Sequence, residues 1–227
     1  MASISVIIPT LNAADVIGRT LVSMSSLDGL AMIREVIISD GGSSDDIAKI
    51  AKEIGADLLV SSPGRGGQLS AGAEASTGDW LLFLHADTAL AAGWEEVLGR
   101  FMRDQPTKAG YFDFVLDDTG FMPRLVERLV ALRCRVFALP YGDQALFISR
   151  KLYFEAGGYR SLPLMEDVDF IRRLGRARLF GIDNGAITSA SRYKSSGYLK
   201  RISRNLFCLT LYFFGVSPER IQRLYEK

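Results

Sequence analysis

The chain has 227 residues, 48% of them apolar and 23% charged, which excludes a disordered, collagenous or disulfide-stapled protein. That length fits one domain, or one domain with an added lobe. A formal net charge of +1 hides an asymmetry: Thr188 to Lys227 carries eight Lys/Arg against Glu219 and Glu226, net +6, and leaves −5 on the first 187 residues. A basic tail on an acidic body points to an anionic partner such as phosphate or a lipid headgroup, with a solvated helix face as the alternative.

The first hundred residues alternate strand and helix patterns. Ser5–Ile8 is a β-branched run closed by Pro9-Thr10, followed by a helical pattern through Val16, Leu21 and Met24. Glu35–Ser39 predicts a second buried strand ending in Asp40-Gly41-Gly42. Ser43-Ser44-Asp45-Asp46 then supplies N-cap hydroxyls and first-turn acids to a helix carrying Ile47, Ile50, Ala51 and Ile54. Leu58–Val60 is a third strand, Gly64–Gly67 a glycine-rich turn before an alanine-rich helix, and Trp80–Leu84 a fourth strand. Continuously apolar strands separated by helices predict an α/β protein, with a parallel sheet covered on both faces.

Beyond Thr88 the alternation loosens. Leu90–Met102 predicts a helix and Tyr111–Leu116 a strand; Leu125, Leu129, Leu132 and Val136 recur at helical spacing with arginines between them. Ala145–Ser149 predicts a short strand, and Glu166 opens a helix through Phe170 and Leu174. In the tail, Ile202, Leu206, Leu209, Phe213 and Val216 share one helical stripe, and Pro218 starts a last short helix. Ser3–Pro9 is too short, and lacks the basic leader, to act as a signal peptide, while Leu206–Val216 falls short of the ~20 residues that span a bilayer. Cys134 and Cys208 lack metal-ligand spacing and His85 is the only histidine, which argues against zinc. The two cysteines fit ordinary thiols of a cytoplasmic protein, with a single bridge as the alternative.

Ligands of open parallel sheets bind beyond the carboxyl ends of the strands. Those ends read Pro9-Thr10-Leu11-Asn12, Asp40-Gly41-Gly42-Ser43, Pro63–Gln68 and His85-Ala86-Asp87-Thr88, rich in glycine and polar groups as a nucleotide site requires. The glycine fingerprint of dinucleotide folds and the Gly-Lys-Ser/Thr phosphate loop are both missing. In an extended segment His85 and Asp87 face one way, and together they can bind a divalent metal bridging two phosphates. The alternative is that His85 hydrogen-bonds a loop and Asp87 caps the helix near Leu90.

Four ordered motifs resemble family 2 glycosyltransferases of the GT-A fold: Ser5–Asn12, Ile37–Asp45, Gly78–Thr88 and Glu166-Asp167-Val168-Asp169. The resemblance covers roughly Ser3 to Gly175. It implies a mostly parallel mixed sheet with helices on both faces, and an inverting transferase using a nucleotide-diphospho-sugar with magnesium or manganese. Residue by residue, it implies that Pro9, Thr10 and Asn12 line the nucleotide pocket, Asp40 holds base or ribose, and Arg65 approaches base or diphosphate. Asp87 matches the last acid of the family's Asp-x-Asp metal motif; His85 replaces the first, as in a subgroup of small bacterial members reading His-Ala-Asp. Glu166-Asp167 matches the acidic pair that supplies the catalytic base, with Asp167 as base and Glu166 orienting it or binding acceptor.

Asp143 and Gln144 are candidates for hydrogen bonds to the acceptor, or close a turn. Arg192 and Lys194 are candidates for contacts to the diphosphate. On this reading residues 1–187 form the catalytic domain, and 188–227 a basic helical extension packed on it or against a membrane surface, beside an acceptor that is free or lipid-linked. Nucleic acid is not an expected partner. The competing expectations are a nucleotidyltransferase that builds sugar nucleotides, which lacks its early basic glycine loop here, and a non-catalytic sugar-nucleotide-binding protein.

Overall fold

The computed structural model describes residues 3–225. The chain opens with β1 (Ile4–Thr10), α1 (Ala14–Ser23), α2 (Leu27–Met32), β2 (Ile33–Asp40), α3 (Ile47–Ile54), β3 (Asp57–Val60), α4 (Arg65–Ala75) and β4 (Trp80–Phe83). It continues through β5 (Thr88–Leu90), α5 (Trp94–Asp104), β6 (Ala109–Leu116), α6 (Phe121–Phe137), β7 (Leu146–Ser149), α7 (Arg150–Glu155), α8 (Glu166–Leu174) and β8 (Leu179–Thr188). The tail forms α9 (Ser191–Ser196), α10 (Tyr198–Phe213) and α11 (Pro218–Tyr225).

All eight strands join one sheet in the order β3-β2-β1-β4-β7-β6-β8-β5. The four strands from β3 to β4 are parallel, β7 runs against both its neighbours, β6 and β8 are parallel, and β5 opposes β8. The sheet is therefore mixed and mostly parallel, as expected. Strand β1 shows why both faces must be covered. Its Ile4, Val6 and Ile8 pack against Ile17 of α1, Ile47 of α3 and Trp94 of α5, whereas Ile7 packs with Leu69 of α4, Leu152 of α7 and Phe170 of α8. Successive side chains of a strand point to opposite faces, and each such burial stabilises by roughly 1.5–3 kcal/mol.

Several expectations need correction. Strand β3 lies at the sheet edge and pairs only with β2, so Leu58 and Val60 are exposed rather than covered. Ser43 and Ser44 do not cap α3, whose N-cap is Asp46 without a side-chain bond; both serines turn toward the β1 and β2 ends. Leu90 belongs to β5 instead of opening the helix, because β8 offers residues 88–90 an antiparallel partner; α5 starts only after Gly93, which is left-handed at φ 82°. Strand β8 escaped the sequence reading because Gly181, Asp183, Asn184 and Gly185 interrupt its apolar pattern, and its pairing with β6 shifts register there. The short helices α2, α7 and α9 were likewise missed. Cys134 and Cys208 are free and buried.

The Gly64–Gly67 turn is shorter than expected, since α4 begins at Arg65 and takes Gly66 and Gly67 into its first turn. Gly66 serves close approach: a Cβ there would lie 2.2 Å from the Arg160 carbonyl oxygen and 2.9 Å from the Leu162 nitrogen. Both obstacles are backbone and cannot rotate away. Gly66→Ala should cost about 1–3 kcal/mol, the usual range for overpacking, and calorimetry should record a Tm several degrees lower. An unchanged Tm would show that the 160–162 segment yields freely.

The tail stripe divides in two. Ile202 and Leu209 pack inward, but Leu206 and Phe213 are exposed. The α6 stripe has the predicted spacing and faces outward: Leu129, Leu132 and Val136 are exposed while Pro123, Val126 and Cys134 are buried. No helix among the described residues is long and apolar enough to cross a membrane.

Candidate active site

The parallel strand ends meet through a hydrogen-bonded scaffold. Thr10 at the end of β1 donates its hydroxyl to Asp40 Oδ1 over 2.9 Å. The Asp40 carboxylate also accepts from the Gly42 and Ser43 amides (3.0 and 2.7 Å) and from the Ser43 hydroxyl. Burial pushes the Asp40 carboxyl up, but these hydrogen bonds outweigh it and hold the acid below its ordinary range. Asn12 takes a left-handed backbone, φ 51°, locked by its amide donating to Ser43 Oγ (2.7 Å) and its Oδ1 accepting from the Ser44 amide (2.9 Å). Gln68, buried on α4, donates to the carbonyls of Thr10 and Ser39 (2.6 and 2.8 Å) and so ties α4 to both strand ends.

A second cluster forms where α4 and α8 begin. Met165 precedes α8 at φ 66°, a strained backbone for a non-glycine residue, and delivers Glu166 and Asp167 together. Glu166 is 2% exposed and lies 3.4 Å from Arg65 at the head of α4. Burial pushes the Glu166 carboxyl up to about 7, with Arg65 opposing the rise and Asp167 adding to it. The Asp167 carboxylate accepts from the Gly142 amide at 2.9 Å and the Val168 amide at 2.7 Å. Gly142 is the meeting point of this cluster with the β4 end. A Cβ on it would lie 2.6 Å from His85 Nε2 and 3.7 Å from Asp167 Oδ2.

His85 and Asp87 do not converge through strand pleating as expected, because β4 stops at Phe83 and β5 starts at Thr88. A turn closed by the Thr88 amide on the His85 carbonyl (3.1 Å) brings both to the same space. Burial, then the charges of Arg65 and Arg192, hold His85 well below its ordinary range, so the imidazole is neutral. Asp143 points a carboxylate oxygen without a hydrogen-bond partner into the buried interior. Burial raises its carboxyl to about 6, against Arg133 and with help from Asp167 and Asp87.

Two cavities adjoin at this point. The larger, about 610 Å³, is lined by Pro9, Thr10, Asn12 and Gln68; the smaller, about 150 Å³, by Tyr141, Asp143, Glu166 and Asp167. Arg65, His85, Asp87, Leu164 and Arg192 line both. Three sequence candidates stand elsewhere. Asp40 lines neither cavity, since its oxygens are taken up by the 41–43 loop and Thr10. Gln144 is buried: its Oε1 accepts from Arg133, Cys134 and the Tyr141 amide, and its Nε2 donates to the Phe112 carbonyl, which closes the turn. Lys194 lines neither cavity and pairs with Asp118 at 3.1 Å. Sequence reasoning gave Gln68, which closes the Pro63–Gln68 strand-end motif, no role of its own and missed Tyr193, Arg201, Asn205 and Tyr225; all five line one cavity or the other. Gln68 was within reach, as a polar residue amid the small residues of α4; the other four depend on how the tail folds back.

The mixed sheet, the helices on both faces and the cavities at the strand ends match the GT-A fold. The chain belongs to glycosyl transferase family 2, whose family model matches residues 5–162. A PGL/p-HBAD biosynthesis glycosyltransferase of Mycobacterium bovis is 32% identical over 176 residues, covering 73% of this chain and 67% of that protein, and its Mycobacterium tuberculosis counterpart matches equally. Among solved structures, TarS 1-349 of S. aureus with UDP-GlcNAc superposes with a TM-score of 0.64 at 16% identity, over 82% of this chain and 58% of that one. The glucosyl-3-phosphoglycerate synthase of Mycobacterium tuberculosis, in complex with Mn2+, UDP and glucosyl-3-phosphoglycerate, gives 0.61 at 22% identity over 95% and 81%. At these identities the structural likeness establishes the fold.

Proposed function

We propose that the protein transfers a sugar from a nucleotide-diphospho-sugar to an acceptor hydroxyl with inversion at the anomeric carbon. The observation that carries this reading is the pair of cavities joined through Arg65, His85, Asp87, Leu164 and Arg192, with the Glu166-Asp167 pair lining only the smaller. The larger cavity is the donor site. Pro9, Thr10 and Asn12 wall the nucleotide, and Asp40 acts by shaping the 41–44 loop behind them. Arg65 and Arg192 reach the boundary between the cavities, where the diphosphate of a donor would lie. The smaller cavity takes the acceptor, and Asp143 on its wall is a candidate partner for the acceptor's hydroxyls.

Inversion needs one base on the face opposite the leaving group. Asp167 is that base, held by two backbone amides so that one carboxylate edge stays oriented toward the acceptor proton. Glu166, braced by Arg65, keeps this corner in place.

The donor set at His85 and Asp87 fits a divalent cation. It offers a neutral imidazole and one carboxylate, to which diphosphate oxygens and water would add; magnesium and manganese commonly take one or two protein carboxylates plus phosphates, and the nitrogen favours manganese. When bound, the metal supplies charge neutralisation for the departing nucleoside diphosphate. The His-Ala-Asp sequence supports a kinship with the subgroup of small bacterial members it resembles. Two free thiols agree with a cytoplasmic location. Residues 188–227, described as far as 225, act as an extension of the 1–187 body that finishes both cavity walls through Arg192, Arg201 and Tyr225.

A thermal-shift screen against UDP, GDP, CDP and dTDP, each with and without manganese, tests the reading. UDP, the nucleotide held by the structural neighbours, should raise Tm by roughly 5–10 °C at saturating ligand, and manganese should enlarge the shift. No shift with any diphosphate would overturn it.

A further inference from the structure

Helices α6 and α10 turn apolar faces to the outside. On α6, Leu129, Leu132 and Val136 form one exposed stripe along a 17-residue helix, with Arg128 and Arg135 on its flank. On α10, Leu199, Leu206 and Phe213 recur at seven-residue spacing on the exposed side, and Phe207 and Phe214 widen it. The inner face of α10 is different in kind: Cys208 is buried, and with Arg201 and Asn205 it lines the smaller cavity. Val130 of α6 and Tyr198 and Ile202 of α10 pack against one apolar cluster, so the two helices border the same part of the body. Apolar side chains exposed in stripes to this extent mark an interaction surface rather than scattered surface residues.

Charge identifies the partner. Lys200 on α10 and Arg128 and Arg135 on α6 are exposed beside the apolar stripes, α10 contains no acid, and Glu127 is the only acid in α6. An exposed apolar stripe with arginine or lysine at its edges is the pattern of a helix lying in the plane of a bilayer interface, where the apolar residues enter the acyl boundary and the cations meet anionic headgroups. A second copy of this chain would bring the same cations against themselves.

We infer that α6 and the outer face of α10 seat the protein on an anionic lipid surface. On the transferase reading, this places the acceptor-side cavity, walled by the inner face of α10, beside the membrane and suits a lipid-borne acceptor. The docking itself does not depend on that reading.

Flotation of the 227-residue chain with vesicles of phosphatidylcholine and phosphatidylglycerol, beside vesicles of phosphatidylcholine alone, tests the inference. The protein should float with the anionic vesicles, and less so at high salt. Leu132→Ser/Val136→Ser should weaken binding about ten-fold or more, and Arg128→Gln/Arg135→Gln should remove most of the salt dependence. Both double variants alter exposed side chains, and unchanged melting would verify their folding. Asp167→Asn should float like the unaltered protein, so a failure of the catalytic assignment leaves this result standing. The inference is overturned if the protein stays in the soluble fraction over anionic vesicles, or if Leu132→Ser/Val136→Ser floats unchanged. It is equally overturned if light scattering finds a dimer that this variant dissociates while no lipid binding occurs.

Discussion

Asp167→Asn is expected to lower turnover by about 10²–10⁴-fold, the usual contribution of a positioned base. The exchange is nearly isosteric. An amide oxygen can still accept from one of the two backbone donors, Gly142 or Val168, while the other loses its partner. The fold should therefore survive at a cost of about 1–3 kcal/mol, the price of one unmet donor in a half-buried position. Asp167 lines only the smaller cavity, so the thermal shift with nucleoside diphosphate should persist, manganese dependence included. Steady-state kinetics beside the thermal-shift assay separates the two effects. Turnover close to that of the unaltered protein would remove Asp167 from the role of base and leave Glu166, with its carboxyl pushed up to about 7, as the remaining candidate in that corner.

Asp87→Ala should be comparably damaging to turnover but for a different reason, and the same two assays tell them apart. Asp87 lines both cavities, and its backbone is held independently of its side chain because its carbonyl accepts from the Ser189 amide at 3.1 Å. Removing the carboxylate takes away the only oxygen donor that accompanies His85 in the proposed cation site. The expected result is a loss of the manganese-dependent part of the diphosphate shift, with a smaller manganese-independent shift surviving through Arg65 and Arg192. If the manganese-dependent part persists in Asp87→Ala, the cation is held elsewhere and the pairing of Asp87 with His85 falls.

Much of the molecule could be read from short stretches of chain. The β-branched and leucine runs that became β1, β2 and β4 are local signals, and so is the acidic start of α8. The motifs at the strand ends supplied Pro9, Thr10, Asn12, Arg65, His85 and Asp87 to the walls of the two cavities, and the later candidates Asp143, Glu166, Asp167 and Arg192 line them too. Asp40, Gln144 and Lys194 show the limit. Their types suit ligand contact, yet the side chains point to the protein's own amides, to buried partners and to Asp118. A polar residue near a site has the same letter whether it faces a ligand or a neighbouring loop, and only the surrounding donors and acceptors decide.

The sequence by itself determined the elements whose periodicity and caps are local, the α/β class that follows from their alternation, and the family. Tertiary structure alone decided the rest. It set β3 at an edge, paired β5 with a β8 too interrupted to announce itself, and brought Gly142 between His85 and Asp167 across more than fifty residues of chain. It also turned the α6 stripe outward while Val126 and Cys134 turned in. Helical spacing records that a face is apolar. Which face meets the core depends on the sheet it packs against, and that surface is assembled from strands distant in sequence.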